Sequence, residues 1–450
     1  MKKLIKALTA SFIFIANTHA SLLNDLPEIN YESFTLDNGL TVVIHEDRKV
    51  PMVAVNVWYH VGSKNEKVGK TGFAHLFEHL MFNGTENYNS EYFEPFEKIG
   101  STDQNGTTNS DRTNYFQNVP TNAVDLALWM ESDRMGHLLG VVDQEKLDEQ
   151  RGVVQNEKRQ GENQPYGKAF TRISEAAFPK GHPYSWTTIG SMEDLDAASL
   201  EDVQEWFKTY YGPNNAVLAL AGDIDLETAR EKVKKYFGDI PAGPPLVKPD
   251  IWIAKRSEEK RDIMYDNVPQ ARIYKAWNVP PRDTEAAAHF DLASSVLVGG
   301  KNSPLFKELV YEKQIATSVS AFYYDREIAG MFIIVVDVVA GQDPKMVEKE
   351  MDTVLQTFTQ KGPNKKLLEA EKTKTLASFI RGAQRIGGFG GKSDLLATCQ
   401  TYTGNPGCYI NNARYIDEST PAKIKSTFIK WIDDTPYVLT ILPSEKLATN

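Results

Sequence analysis

The segment Thr71-Gly72-Phe73-Ala74-His75-Leu76-Phe77-Glu78-His79-Leu80-Met81-Phe82 holds two imidazoles four residues apart, with a carboxylate between them. Residues at that spacing share one face of a helix, so His75 and His79 can point at one ion with Glu78 beside them. Leu76, Phe77, Leu80 and Met81 cover the other faces, which predicts a buried helix over 71–82. Buried imidazoles and a buried carboxylate need partners. Zinc supplies one: two neutral ring nitrogens bind it, while Glu78 stays off the metal as a general base. The plainer alternative is two core histidines beside a surface Glu. With eight histidines in the chain, a chance His-x-x-Glu-His has odds on the order of one in a hundred.

A catalytic zinc wants a third protein ligand and an open position. Glu157 lies three and four residues after Val154 and Val153 and shares their apolar face. A carboxylate on a buried stripe needs a partner, and an ion would be one. A solvated Glu at the edge of the stripe is the alternative that spacing leaves open.

The elements that must hold these residues read as mixed strands and helices. Residues 40–45 and 53–61 alternate as paired strands after the Asp37-Asn38-Gly39 turn. Residues 91–99, 122–139 and 144–160 have helical periodicity, and 107–118 read as one exposed strand. The chain also echoes itself. Ser199 and the helix after it, then Val217-Leu218, match Thr420 and Val438-Leu439 at an offset of 221. Val50-Pro51 with Trp58 matches Val268-Pro269 with Trp277 at 218–219. Two matches at nearly one offset indicate duplication. The expected class is α+β: two homologous domains, each a mostly antiparallel sheet with packed helices. Domain one is placed at 21–238 and domain two at 251–450, joined by a Pro-rich linker at 239–250.

Residues 1–20 combine Lys2, Lys3 and Lys6, a short apolar run and Thr18-His19-Ala20, the order of a secretory signal peptide. Loss of three lysines takes the formal charge from −10 to −13. That acidity and the lack of a basic cluster argue against nucleic acid. No segment is long and apolar enough for a membrane span. An exported, oxidising compartment follows, with the periplasm of a Gram-negative bacterium as the expectation. Cys399 and Cys408 can pair there across a Gly/Pro turn, or stay as two buried thiols. Gly387 to Ser393 is read as a turn between helices, because the first glycine of a phosphate loop falls on Ile386. His60, His137, His182 and His289 lack ligand spacing and are read as structural or surface residues.

His75-x-x-Glu78-His79, followed 78 residues after His79 by Glu157 in an Arg-x-Val-Val-x-x-Glu setting, resembles the M16 family of zinc peptidases, in its short M16B branch. The resemblance spans the mature chain. It implies a duplicated LuxS/MPP-like fold with one zinc, held in the first half by His75, His79 and Glu157, and Glu78 as base. It also implies that two chains close around a peptide. Asn105, Thr108, Thr113 and Tyr115 fall where the family has its substrate-pairing edge strand and the polar residues around it. An exposed edge takes an extended peptide by backbone hydrogen bonds.

Two departures stand out. Many members have a Glu where this chain has Gln150, which is expected to tune the polarity behind the metal. Active members also carry an Arg and, seven residues later, a Tyr in the second half; here those positions are Val310 and Thr317. Neither can stabilise an oxyanion as Arg and Tyr would. The expectation is therefore an exported zinc endopeptidase, the metal-bearing subunit of a heterodimer whose homologous partner supplies the Arg and Tyr, or otherwise a homodimer. The alternative is a non-hydrolytic peptide-binding subunit.

Overall fold

The computed structural model describes residues 23, 26–432 and 435–444. The signal peptide expected at 1–20 lies outside the described residues. The first half folds around strands β1 (Glu32–Thr35), β2 (Thr41–Glu46), β3 (Met52–Tyr59), β4 (Thr102–Thr108), β5 (Thr113–Pro120) and β6 (Ala216–Gly222). They form one sheet in the order β1-β2-β6-β3-β5-β4. The second half has β7 (Lys260–Asp266), β8 (Arg272–Val279), β9 (Ala316–Tyr324), β10 (Gly330–Val338) and β11 (Tyr437–Pro443), in the order β7-β11-β8-β10-β9. In each sheet one pair is parallel, β2 with β6 and β7 with β11, and the others are antiparallel. The α+β class with two homologous, mostly antiparallel domains is therefore the fold. Between them, residues 241–256 form neither helix nor strand.

The central strands β3 and β6 are buried on both faces. Their Val-, Ala- and Leu-rich sequences suit that position, because a strand covered on both sides cannot alternate apolar with polar. Helices of the same half cover one face of each sheet. The other face is covered reciprocally. Ala383, Leu396, Ala397 and Tyr409 of the second half pack on Val43, Trp58, Val217 and Ala219. Tyr166, Ala169, Ile173 and Phe178 of the first half pack on Tyr274, Ala276, Ile333 and Leu439. Each half thus lends a helical segment to the other's sheet.

The repeat differs from its sequence reading in register. Leu218 faces the first half's own helices, whereas Leu439 faces the lent segment. Trp58 and Trp277 also lie on opposite kinds of face. An odd offset in a strand moves a side chain through the sheet, so the 219 and 221 matches are slipped by one residue within the strands. The helix caps do correspond: Ser199 accepts from Asp202 N–H and Thr420 from Lys423 N–H.

Residues 107–118 are a hairpin, not one exposed strand. The Asn109 side chain accepts from the backbone N–H of Asp111 and Arg112, which turns the chain between β4 and β5. The helices expected at 91–99 and 122–139 shrink to Glu94–Lys98 and Val124–Gly136, while the one at 144–160 runs on as Gln144–Asn163. Cys399 and Cys408 form a disulfide. The glycine turn is pressed onto the first sheet: a Cβ at Gly387 would meet the Asn118 side chain at 2.0 Å.

Candidate metal centre

Helix Phe73–Leu80 presents the site. Gly72 precedes it with φ of 86°, and a Cβ there would lie 2.7 Å from the Ile189 carbonyl oxygen, so only glycine fits the entry. Glu66 Oε1 accepts from Ala74 N–H at 2.8 Å and satisfies a free donor of the first turn. Leu76, Phe77 and Leu80 are fully buried, and they anchor the face opposite the imidazoles.

His75 and His79 both turn Nε2 toward Glu157, on helix Gln144–Asn163. Each Nε2 lies 3.6 Å from Glu157 Oε2. That is too long for a good hydrogen bond. It matches atoms arranged around an ion, since tetrahedral zinc with bonds of about 2.0–2.1 Å spaces its ligand atoms about 3.4 Å apart. The ligand atoms of the three residues all lie within 4.8 Å of one another. Burial and the neighbouring His79 push the His75 ring down to about 4, so it is neutral and able to bind a metal. Two imidazoles and a carboxylate facing one point fit zinc with a position left open.

Glu157 differs from its expected setting. Val154 is fully buried, but Val153 is 38% exposed and the Glu157 side chain 45%. Its carboxylate opens on solvent rather than lying on a buried stripe. Gln150 sits half-buried two turns earlier on the same helix.

Glu78 is buried beside the cluster. Burial, helped by the charge of Glu157, raises its carboxyl to about 7, against a hydrogen bond from Thr108 and the charge of Arg112. A carboxylate poised there can exchange protons near neutral pH.

The four residues expected at the substrate edge separate. Asn105 is exposed on β4, the terminal strand, and Thr108 ends that strand within reach of Glu78. Thr113 and Tyr115 are fully buried on β5, behind the edge. They back the site: the Thr113 hydroxyl is 3.1 Å from that of Thr108. Sequence reading missed Glu66 and the bracing role of Arg112. Arg112 stands over the Trp58 ring at 5.0 Å and donates to the Thr107 carbonyl, so it braces the hairpin. Neither contact follows a short repeat: Glu66 reaches Ala74 across the loop before the helix, and Arg112 meets a ring from another strand. Val310 packs on the second core, and the Thr317 hydroxyl accepts from Gln270 at 2.7 Å.

The model of the family Insulinase (Peptidase family M16) matches residues 41–189, and that of the Peptidase M16 inactive domain matches 197–375. The chain is 29% identical over 361 residues to the zinc protease PqqE of Helicobacter pylori, covering 78% of this chain and 79% of that one. A solved protease from Helicobacter pylori superposes with a TM-score of 0.84 at 25% identity, covering 93% of this chain and all of that one. The periplasmic protease PqqL of Escherichia coli shares the fold at 18% identity and a TM-score of 0.73; 94% of this chain matches 48% of it. Consecutive models of one family take in all three candidate ligands and most of the second half, and on that ground the chain belongs to the M16 family of peptidases.

Proposed function

We propose that this chain is a zinc-dependent endopeptidase that cuts extended peptides laid along β4. The observation that carries the reading is the convergence of His75, His79 and Glu157, with buried Glu78 beside them, next to an uncovered strand edge. When bound, zinc supplies Lewis acidity that polarises a carbonyl and acidifies a water. The protein's own groups do the rest. β4 aligns the peptide backbone through its free N–H and C=O groups. Glu78 accepts the proton of the attacking water and returns it to the leaving amine. Thr108 holds the Glu78 carboxylate in place.

The finer reading is an exported subunit of a two-chain clamshell. A disulfide between Cys399 and Cys408 suits an oxidising compartment. Among the described residues no helix is long and apolar enough to cross a membrane. All three candidate ligands lie in the first half, while Val310 and Thr317 leave the second without an oxyanion donor at those positions. A homologous partner with Arg and Tyr there would complete the chamber. In this reading 21–238 and 251–450 are the two domains and 239–250 is their linker.

The test measures zinc content and hydrolysis of a quenched peptide by the purified chain, alone and mixed with a homologous partner. Glu78→Gln is expected to keep about one zinc per chain and lose activity by about 10²–10⁴-fold, the range of a general base. Glu157→Gln is expected to lose the metal. Hydrolysis that survives chelation and Glu78→Gln overturns the peptidase reading. Full activity without a partner overturns the heterodimer.

A further inference from the structure

The glycine turn between helices Lys365–Gly382 and Lys392–Thr403 is closed by its own hydrogen bonds. Lys392 N–H donates to the Arg385 carbonyl at 2.9 Å, Ser393 N–H to that of Ile386 at 3.0 Å, and Gly391 N–H to that of Gly388 at 3.1 Å. The Asp394 carboxylate accepts from Gly390 N–H at 2.8 Å, and the Arg385 guanidinium donates to the Phe389 carbonyl. Gly388 and Gly390 flank Phe389 with φ of 70° and 69°, the left-handed region where glycine is the ordinary residue. A loop tied on both sides fixes its tip. The tip is Phe389, and it is 54% exposed. A lone exposed apolar side chain is ordinary. A ring held in place by bonds before and after it is pre-organised for a contact.

The loop runs outward across the first sheet. A Cβ at Gly387 would meet Ala54 of β3 and Asn118 of β5, and one at Gly388 would come within 3.5 Å of Asp103 of β4. Asn118 donates to the Asp103 carboxylate at 2.7 Å, which pins β5 to β4 where the loop crosses them. Phe389 comes next, its ring centroid 5.1 Å from that of Phe116 and edge-on to it. Phe116 is paired with Asn105 of β4, the terminal strand, whose outer edge has no partner among the described residues. Paired residues share a face of the sheet, and successive residues alternate. Asn105 and Phe116 are therefore on the face of Phe389. Gly106 and Tyr115 are on the other, where a Cβ at Gly106 would meet Phe82 at 2.6 Å, and Thr108, two residues on, reaches Glu78.

We propose that Phe389 is a specificity-determining residue: with Phe116 it forms an apolar wall for the side chain that a peptide paired along β4 places opposite Asn105, and it selects an aromatic or large aliphatic residue there. This rests on the peptidase reading of the site. A peptide strand added about 4.8 Å beyond β4 sends alternate side chains to the Glu78 face and to the Phe389 face. The first half supplies the pairing edge and the metal ligands, and the second half supplies the wall through the segment that also covers the first sheet. An aromatic side chain laid against the Phe389 edge gains a ring contact and buries apolar area that the loop otherwise leaves in water.

The test compares two quenched peptides of alanine and threonine that differ at one central position, phenylalanine in one and serine in the other. The wild-type chain is expected to favour the phenylalanine peptide by about tenfold in kcat/KM, with the difference carried by KM. Phe389→Ala should bring that ratio close to one, and Phe389→Leu should keep most of it. The position is exposed, and an unchanged zinc content and melting temperature show that each chain is intact. A ring that only packs on Phe116 would change stability and leave the ratio alone. A wild-type ratio near one, or a ratio that Phe389→Ala does not move, overturns this inference while hydrolysis that Glu78→Gln abolishes still supports the peptidase. If neither peptide is cut, the peptidase reading fails, and anisotropy of the same peptides, fluorescently labelled, on the Glu78→Gln chain decides the wall. A preference for phenylalanine that Phe389→Ala removes sustains it, and equal affinities overturn it.

Discussion

At the scale of the residue, environment divides two carboxylates carried beside the same pair of imidazoles. Glu157 opens on solvent and faces both Nε2 atoms, whereas Glu78 is buried and its carboxyl is raised to about 7. On the proposed function, that division suits Glu157 to hold a cation and Glu78 to carry a proton. Thr108 opposes the effect of burial on Glu78 by its hydrogen bond. Thr108→Val removes a bond made to the charged form, so the Glu78 carboxyl should rise further. The acid limb of the kcat/KM profile is expected to move up by about half a unit to one unit. An unmoved limb would show that Thr108 does not touch the working carboxylate.

At the scale of the element, helix Phe73–Leu80 depends on a cap that lies outside it. Burial raises the Glu66 carboxyl to about 8, against the backbone bonds from Ala74 and Gly72. Its value in the unfolded chain is near 4.5. The native state therefore holds this proton more tightly. The stability it contributes is fully present below 4.5 and is lost as pH rises through about 8. Glu66→Gln keeps the acceptor without the titration. Its melting temperature relative to wild type should be higher at pH 9 than at pH 5, and a constant difference would contradict the linkage. A second element, helix Lys392–Thr403, is tied by Cys399 and Cys408 across nine residues. Closing so short a loop contributes about 2–3 kcal/mol. Cys399→Ser with Cys408→Ser should lower the denaturant midpoint accordingly, and a reductant should do the same to wild type only.

At the scale of the molecule, a buried charge cluster locks the two halves. Lys64 pairs with Asp111 and with Glu327, whose carboxylate also meets His60 Nε2 at 2.8 Å. Asp111 accepts from the Glu327 backbone N–H at 3.1 Å and from the Tyr184 hydroxyl. Burial alone would raise Glu327, but the bond from His60 and the charge of Lys64 outweigh it and hold it at about 2. Its folded value is thus below the unfolded 4.5, so its contribution is present above 4.5 and lost as pH falls toward 2. Lys64→Met leaves buried Asp111 and half-buried Glu327 without their lysine. It should cost about 3–5 kcal/mol and raise the pH at which acid unfolding begins. Loss of less than about 1 kcal/mol would place the cluster in water rather than in a sealed junction.

Local spacing was enough to single out one helix face as a candidate site, because His75, Glu78 and His79 fall within two turns and share a face in any α-helix. The helix caps at Ser199 and Thr420 and the α+β class were legible for the same reason, since caps and periodicity are short-range signals. Strand register was not, and the repeat slipped by one residue, because alternation tells which residues share a face but not which face is which. Nor could sequence tell that Thr113 and Tyr115 stand behind the edge, or that Asp111 and Arg112 sit in a sealed turn. Those depend on the Asn109 hairpin and on partners such as Trp58, Tyr184 and Glu327 that come from other strands and from the other half. By itself the sequence determined which side chains could do chemistry. Only the tertiary structure brought Glu157 to them and exchanged helical cover between the sheets, because burial and pairing across long loops are properties of the packed chain and not of any segment of it.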